Sequence, residues 1–260
     1  MRRSSLPSAA VTALCTLLAC APPRSAPAPV ATPAEPAAPA AAAPAADGAY
    51  GQVAASADGI GKVYLGREIS FVMGHLGADW LERPEREQEE RPAAVVENMQ
   101  LAPDATVADI GAGTGYFSFR IAPRVPRGRV LAVDIQPEML ELLAKRKQET
   151  GIANIEPVLG AVDDPKLPES TVDAALLVDA YHEFSHPREM MQGLVRALRP
   201  GGRVFLIEYR AEDPNVPIKP LHRMSESQAR RELEAVGLRF VENRDFLPWQ
   251  HFLIFEKAAS

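Results

Sequence analysis

The apolar pair Val107-Ala108 leads through Asp109-Ile110 into Gly111-Ala112-Gly113-Thr114-Gly115, and Tyr116 then opens an aromatic-rich stretch. No other segment restricts the fold as much. Glycine at every second position lets the backbone turn sharply and approach a ligand closely. A helix starting just after such a loop directs its unpaired amide groups back toward it. The segment therefore predicts a buried strand over Thr106–Ile110, a tight turn, and a helix over Tyr116–Arg124.

The chain beyond this unit alternates in the same way. Strands are expected at Arg129–Val133, Asn154–Leu159, Val172–Val178 and Arg203–Glu208, and helices at Pro137–Thr150 and Pro187–Leu198. Proline at the first helical turn fits both helices, because its missing N–H has no intrahelical partner to lose. Ser225-Glu226-Ser227-Gln228 is a capping-box pattern that opens a helix to Val236, stopped by Gly237. Leu238–Glu242 and His251–Phe255 finish as strands. The order implies an α/β fold, a doubly wound and mainly parallel sheet closed by a hairpin. Upstream, Ala93–Leu101 reads as a short helix and Val63–Arg91 as a helix with a charged tail. The sign-alternating run Glu82–Arg91 reads as its solvated face.

The loop chemistry narrows the ligand. A dinucleotide fingerprint requires G-x-G-x-x-G, whereas Tyr116 stands at the sixth position, and the pattern D-x-G-x-G-x-G favours S-adenosylmethionine over NAD. Asp134, with Ile135 beside it, ends the second strand where a carboxylate can accept from ribose hydroxyls; that position alone would also suit NAD. Asp163 and Asp164 follow the third strand and can offer a carboxylate to an adenine amino group or be ordinary loop acids. Asp179 ends the fourth strand.

Residues 101–256 resemble a class I S-adenosylmethionine-dependent methyltransferase. Asp109 through Gly115 resembles the first motif of that family, Asp134 the acid of its second, and Leu198-Arg199-Pro200-Gly201-Gly202 its turn before strand five. The resemblance implies a Rossmann-like seven-stranded sheet in the order 3-2-1-4-5-7-6, last strand antiparallel, with helices on both faces. It implies S-adenosylmethionine as cofactor and methyl transfer to a nucleophile; the candidate cofactor-binding residues are Asp109, Gly111, Gly113, Gly115, Asp134, Ile135, Asp163, Asp164 and Asp179.

Open α/β sheets bind ligands at the carboxyl ends of their strands. There the sequence places Asp179-Ala180-Tyr181-His182-Glu183, and Glu208 after strand five. His182 is the natural general base for a hydroxyl acceptor, with Tyr181 and Glu208 completing the catalytic group; the alternative is that it shapes the pocket wall. The proline-bearing loop Asp213–His222 can act as a flap. His182, Glu208, His222 and His251 have no diagnostic ligand spacing, so no metal is expected. The acceptor expected is a small molecule or a modest protein or lipid target, and the alternatives to such an enzyme are a non-catalytic S-adenosylmethionine-binding or surface-anchored module, and an NAD(P)-dependent oxidoreductase.

Composition and the N-terminal segment bear on partners and place. Of 260 residues, 21–46 hold 13 Ala and 8 Pro, and the remainder after residue 46 carries 25 basic and 33 acidic side chains. That negative balance gives no footprint for nucleic acid. Met1-Arg2-Arg3 and the uncharged Leu6–Ala19 read as a signal peptide over 1–19, too short for a membrane span. Leu17-Leu18-Ala19-Cys20 resembles a lipoprotein lipobox, which implies a lipid anchor at Cys20, an Ala/Pro-rich disordered tether over 20–58, a helical cap over 59–100 and the enzymatic domain over 101–260. The place expected is the bacterial cell envelope, or the cytoplasm if the N-terminal segment is not a working signal.

Overall fold

The computed structural model describes residues 43–44 and 48–259. The signal segment, Cys20 and most of the tether lie outside them. Strands β1 (Ala43–Pro44), β2 (Tyr50–Gln52), β3 (Gly59–Tyr64) and β4 (Arg67–Ser70) form a small antiparallel sheet in that order. Short helices α1 (Ala78–Leu81), α2 (Arg86–Glu89) and α3 (Pro92–Asn98) follow.

Three expectations are corrected here. The tether does not reach residue 58, because Tyr50–Gln52 pairs with Lys62–Tyr64. Nor is Val63–Arg91 one helix, since its first part is a hairpin. Leu65 and Gly66 adopt φ of 45° and 96°, the left-handed conformations of a tight turn between strands. Pro84 separates α1 from α2, and Arg91 at φ 48° separates α2 from α3. The charged run is also not simply solvated: Arg86 and Glu90 are buried and joined at 2.6 Å. The Arg86 guanidinium lies 4.1 Å from the centre of the Tyr116 ring.

The remaining chain builds the main sheet from β5 (Thr106–Ile110), β6 (Arg129–Asp134), β7 (Ile155–Leu159), β8 (Val172–Val178), β9 (Leu198–Tyr209), β10 (Leu238–Asn243) and β11 (Gln250–Lys257). Their spatial order is β10-β11-β9-β8-β5-β6-β7. The strands from β7 to β9 run parallel, and β11 is antiparallel to both β9 and β10. This is the 3-2-1-4-5-7-6 order expected from the sequence. Helices α4 (Ser118–Ile121), α5 (Pro137–Thr150), α6 (Pro187–Ala197) and α7 (Glu226–Glu234) fall between strands.

Strand β5 is buried along its whole length, as an apolar central strand must be. Its alternate residues feed two cores: Val107 packs with Phe119, Leu143, Phe205 and Ile254, and Ala108 and Ile110 with Met191, Leu194, Leu206 and Leu233. Helix α7 is capped as its sequence predicts on one side only. Ser225 Oγ accepts from Gln228 N at 3.2 Å, while the Gln228 side chain donates to Leu65 O and Glu232. That donation ties α7 to the β3–β4 turn. Among the described residues no helix is long and apolar enough to cross a membrane.

Candidate active site

A cavity of about 620 Å³ opens at the carboxyl ends of β5, β6 and β8, within the size range of small-molecule sites. One end is the glycine loop. Gly111, Gly113 and Gly115 have φ of 73°, 54° and 84°, conformations that side-chain-bearing residues rarely adopt. A Cβ on Gly111 would come 2.7 Å from Ala180 Cβ, and one on Gly113 would come 2.8 Å from Leu81 Cδ1. The loop is folded onto Asp134, whose Oδ2 accepts from Gly113 N at 2.8 Å and Oδ1 from Gln136 N at 2.9 Å. Burial pushes the Asp134 carboxyl above its usual range, and these amides oppose that shift.

Asp179 sits where β8 ends, in a left-handed conformation at φ 48°. Its Oδ2 accepts from Gln250 Nε2 at 2.6 Å, and its Oδ1 is buried without a hydrogen-bond partner. Burial, with Glu90 and Glu208 nearby, raises its pKa well above the ordinary value. A buried carboxyl oxygen without a partner, on a residue that lines the cavity, is a receptor for a cation or donor.

The other end of the cavity is His182, Glu183 and His222. His182 is buried on a 3-10 turn, Tyr181–Glu183, directly after β8. Its Nδ1 lies 2.5 Å from Glu208 Oε2, and its Nε2 lies 3.1 Å from His222 Nδ1. Burial opposes charge on this imidazole, but the Glu208 carboxylate beside it, with Glu183, raises its pKa overall. Burial pushes His222 the other way, helped by His182. The peptide oxygen of His182 is held by Arg67 Nη1 at 3.0 Å, so β4 helps to place the turn.

Of the residues expected from the sequence, Gly111, Gly113, Asp134, Ile135, Asp179 and His182 line the cavity together. The others do not. Asp109 is buried under the loop, accepting from Ser118 Oγ at 2.6 Å. Gly115 abuts Phe119, Tyr181 is enclosed in the second core, and Glu208 is buried behind His182. Asp163 and Asp164 stand outside while Val162 between the strands' ends reaches in, and Asp164 pairs instead with Lys166 at 2.8 Å. His251 engages Asn243 and Glu212.

Among the lining residues that sequence reasoning missed are Phe71, Val72 and Met73, on the loop leaving β4, and Trp80 and Leu81 on α1. The available signal was the apolar run Phe71-Val72-Met73 immediately after a strand. The flap expected at Asp213–His222 does reach the cavity, through Pro217, Ile218, Lys219 and His222.

Residues 107–202 match the family model described as a methyltransferase domain. With the sheet order and the glycine loop, this match makes the segment similar to methyltransferase domains. An uncharacterized methyltransferase of Mycobacterium bovis is 36% identical over 124 residues, 47% of each chain. The uncharacterized methyltransferase YcgJ of Bacillus subtilis is 29% identical over 46% of this chain and 47% of that one. The chain thus spans about half the length of the curated relatives it matches. Among solved structures, a SAM-dependent methyltransferase from Aquifex aeolicus has the same fold, with a TM-score of 0.67 at 24% identity over 71% of this chain and 99% of that one.

Proposed function

We propose that the protein transfers a methyl group from S-adenosylmethionine to a small-molecule acceptor bound in this cavity. The observation that carries the reading is the continuity of one cavity from the glycine loop and Asp134 to His182, Glu183 and His222. The residues present fit the cofactor. Gly111 and Gly113 leave room where a Cβ would collide, Asp134 at the end of β6 is the acid expected to accept from the ribose hydroxyls, and the unpaired Asp179 oxygen suits a cationic group such as the cofactor's ammonium. When bound, S-adenosylmethionine supplies a methyl group already activated by its sulfonium.

What the chain must add is mainly alignment, which can contribute roughly 7–11 kcal/mol to such a displacement. Phe71, Val72, Met73, Trp80 and Ile218 give the cavity an apolar wall, which favours an acceptor with an apolar body. His182 meets the acceptor's nucleophile, and Glu208 orients the imidazole through Nδ1. The proposal extends to place: the lipobox-like Cys20 supports a lipid-anchored protein of the cell envelope, and Cys20→Ala is expected to release it from membranes.

The experiment is titration calorimetry with S-adenosylmethionine and with NAD, followed by incubation with a metabolite extract and detection of S-adenosylhomocysteine. Binding of S-adenosylmethionine alone, with release of S-adenosylhomocysteine, is expected. Binding without turnover would point to a non-catalytic module, and failure to bind S-adenosylmethionine would overturn the reading.

A further inference from the structure

Three ligating atoms converge at the acceptor end of the cavity. His182 Nε2 and His222 Nδ1 are 3.1 Å apart, and Glu183 Oε1 lies 3.8 Å from the first and 3.7 Å from the second. A triangle with these sides has its centre about 2.1 Å from every corner, the length of a Zn–N or Zn–O bond. A hydrogen bond between the two rings accounts for one side of the triangle. It does not account for a carboxylate oxygen standing nearly equidistant from both nitrogens and beyond hydrogen-bond reach of either.

Two of the three groups are oriented from behind. Glu208 takes His182 Nδ1, so the neutral ring carries its proton there and presents the Nε2 lone pair to the centre. Carboxylates orient metal-bearing imidazoles in this way. Glu183 uses Oε2 to accept from Met73 N at 3.1 Å, which leaves Oε1 for the centre. His222 arrives on the 3-10 turn Pro220–His222 at the end of the flap.

We propose that His182, Glu183 and His222 bind a divalent first-row transition ion. Two imidazoles and one carboxylate suit Zn²⁺, Fe²⁺, Co²⁺ or Ni²⁺, whereas Mg²⁺ and Ca²⁺ take oxygen ligands. Three protein ligands leave coordination positions for an exogenous group, and all three residues line the cavity. Only the use of the ion rests on the methyltransferase reading. An ion here would bind the acceptor's oxygen and lower its pKa so that its proton passes to solvent water, and Nε2 would then be a ligand and not a base.

The test uses the full chain stripped with EDTA, titrated with Zn²⁺ by calorimetry and with Co²⁺ by visible absorption, with S-adenosylmethionine binding measured in parallel. One ion per chain and a ligand-field spectrum of a nitrogen–oxygen site are expected. Glu208→Gln should weaken Zn²⁺ binding by roughly 10- to 100-fold, as loss of an orienting carboxylate does. Glu183→Gln and His222→Asn should weaken it more, and His75→Asn, at an exposed ring, should leave it unchanged. His222 is partly exposed on a loop, so its variant also guards against misfolding, which circular dichroism would reveal. Absence of stoichiometric binding to wild type, or wild-type affinity in both Glu183→Gln and His222→Asn, would overturn the site. Intact S-adenosylmethionine binding in that case would leave the proposed methyl transfer standing.

Discussion

Gly113 donates its amide to Asp134 Oδ2 at 2.8 Å, so the glycine loop after β5 and the acid ending β6 form one unit. The acid therefore shapes the loop as well as facing the cavity. A hydrogen bond to a charged group contributes roughly 1.5–3 kcal/mol, so Asp134→Ala should weaken S-adenosylmethionine binding by about 10- to 150-fold. Calorimetry at neutral pH measures it. Wild-type affinity in this variant would remove Asp134 from the cofactor end.

Gly111 and Gly151 provide a matched pair. Both have left-handed φ, 73° and 69°, but a Cβ on Gly151 would meet nothing within 4 Å, whereas one on Gly111 meets Ala180 Cβ at 2.7 Å. Gly151→Ala should cost about 1–3 kcal/mol from backbone strain alone. Gly111→Ala should cost more and should also reduce S-adenosylmethionine binding, because Ala180 and the neighbouring Asp179 must shift. Thermal melts of the two variants with and without cofactor make the comparison. An equal loss in both would mean that the close approach to Ala180 does not matter.

These two regions also show what was readable in advance. The strand Thr106–Ile110 and the helix Pro137–Thr150 have the bounds expected, because the glycine loop that stops the strand and the proline-to-glycine punctuation of the helix leave few alternatives. The cavity's glycine end was legible for the same reason. The small sheet was not, because in Gly59–Ser70 the turn residues Leu65-Gly66 are flanked by Lys62, Arg67 and Glu68, whose charges imitate a solvated helix. Arg67 is in fact nearly buried, and its partner Glu232 lies far away in sequence. Pairings of that range leave no local periodicity. The convergence of His222 on His182 was hidden for the same reason, since 40 residues and two proline-rich turns separate them.

Asp109 gives a pH dependence whose sign is fixed. Burial raises its carboxyl from 3.8 to about 6, against the opposing hydrogen bonds from Ser118. The folded chain thus holds this proton more tightly than the unfolded chain. The stability the group contributes is fully present below about pH 4 and is lost as pH rises through about 6. Above that, a carboxylate is buried at a cost on the order of 2–3 kcal/mol. Asp109→Asn keeps an oxygen for Ser118 and should be more stable than wild type at pH 7.5, with the advantage shrinking at pH 4.5. Urea midpoints at both values test this, and a wild type more stable than the variant at pH 7.5 would contradict it.

Arg67 on β4 and Glu232 on α7 form a buried two-point ion pair, Nε to Oε1 at 2.8 Å and Nη2 to Oε2 at 2.9 Å, while Nη1 reaches His182 O at 3.0 Å. Removing one partner leaves the other charge buried, which costs about 3–5 kcal/mol. Arg67→Met should therefore lower the melting temperature by roughly 6–20 °C at 2–4 °C per kcal/mol. Replacing the pair together, Arg67→Met with Glu232→Leu, removes both charges and should recover most of that stability. It cannot restore the Arg67 donor to His182 O, which is left with Ser70 Oγ at 3.3 Å. The double variant is thus expected to melt near wild type yet transfer methyl groups more slowly, with S-adenosylmethionine affinity unchanged because Arg67 does not line the cavity. Recovery of both stability and rate in the double variant would show that the Arg67 contact to the His182 turn has no part in placing that residue.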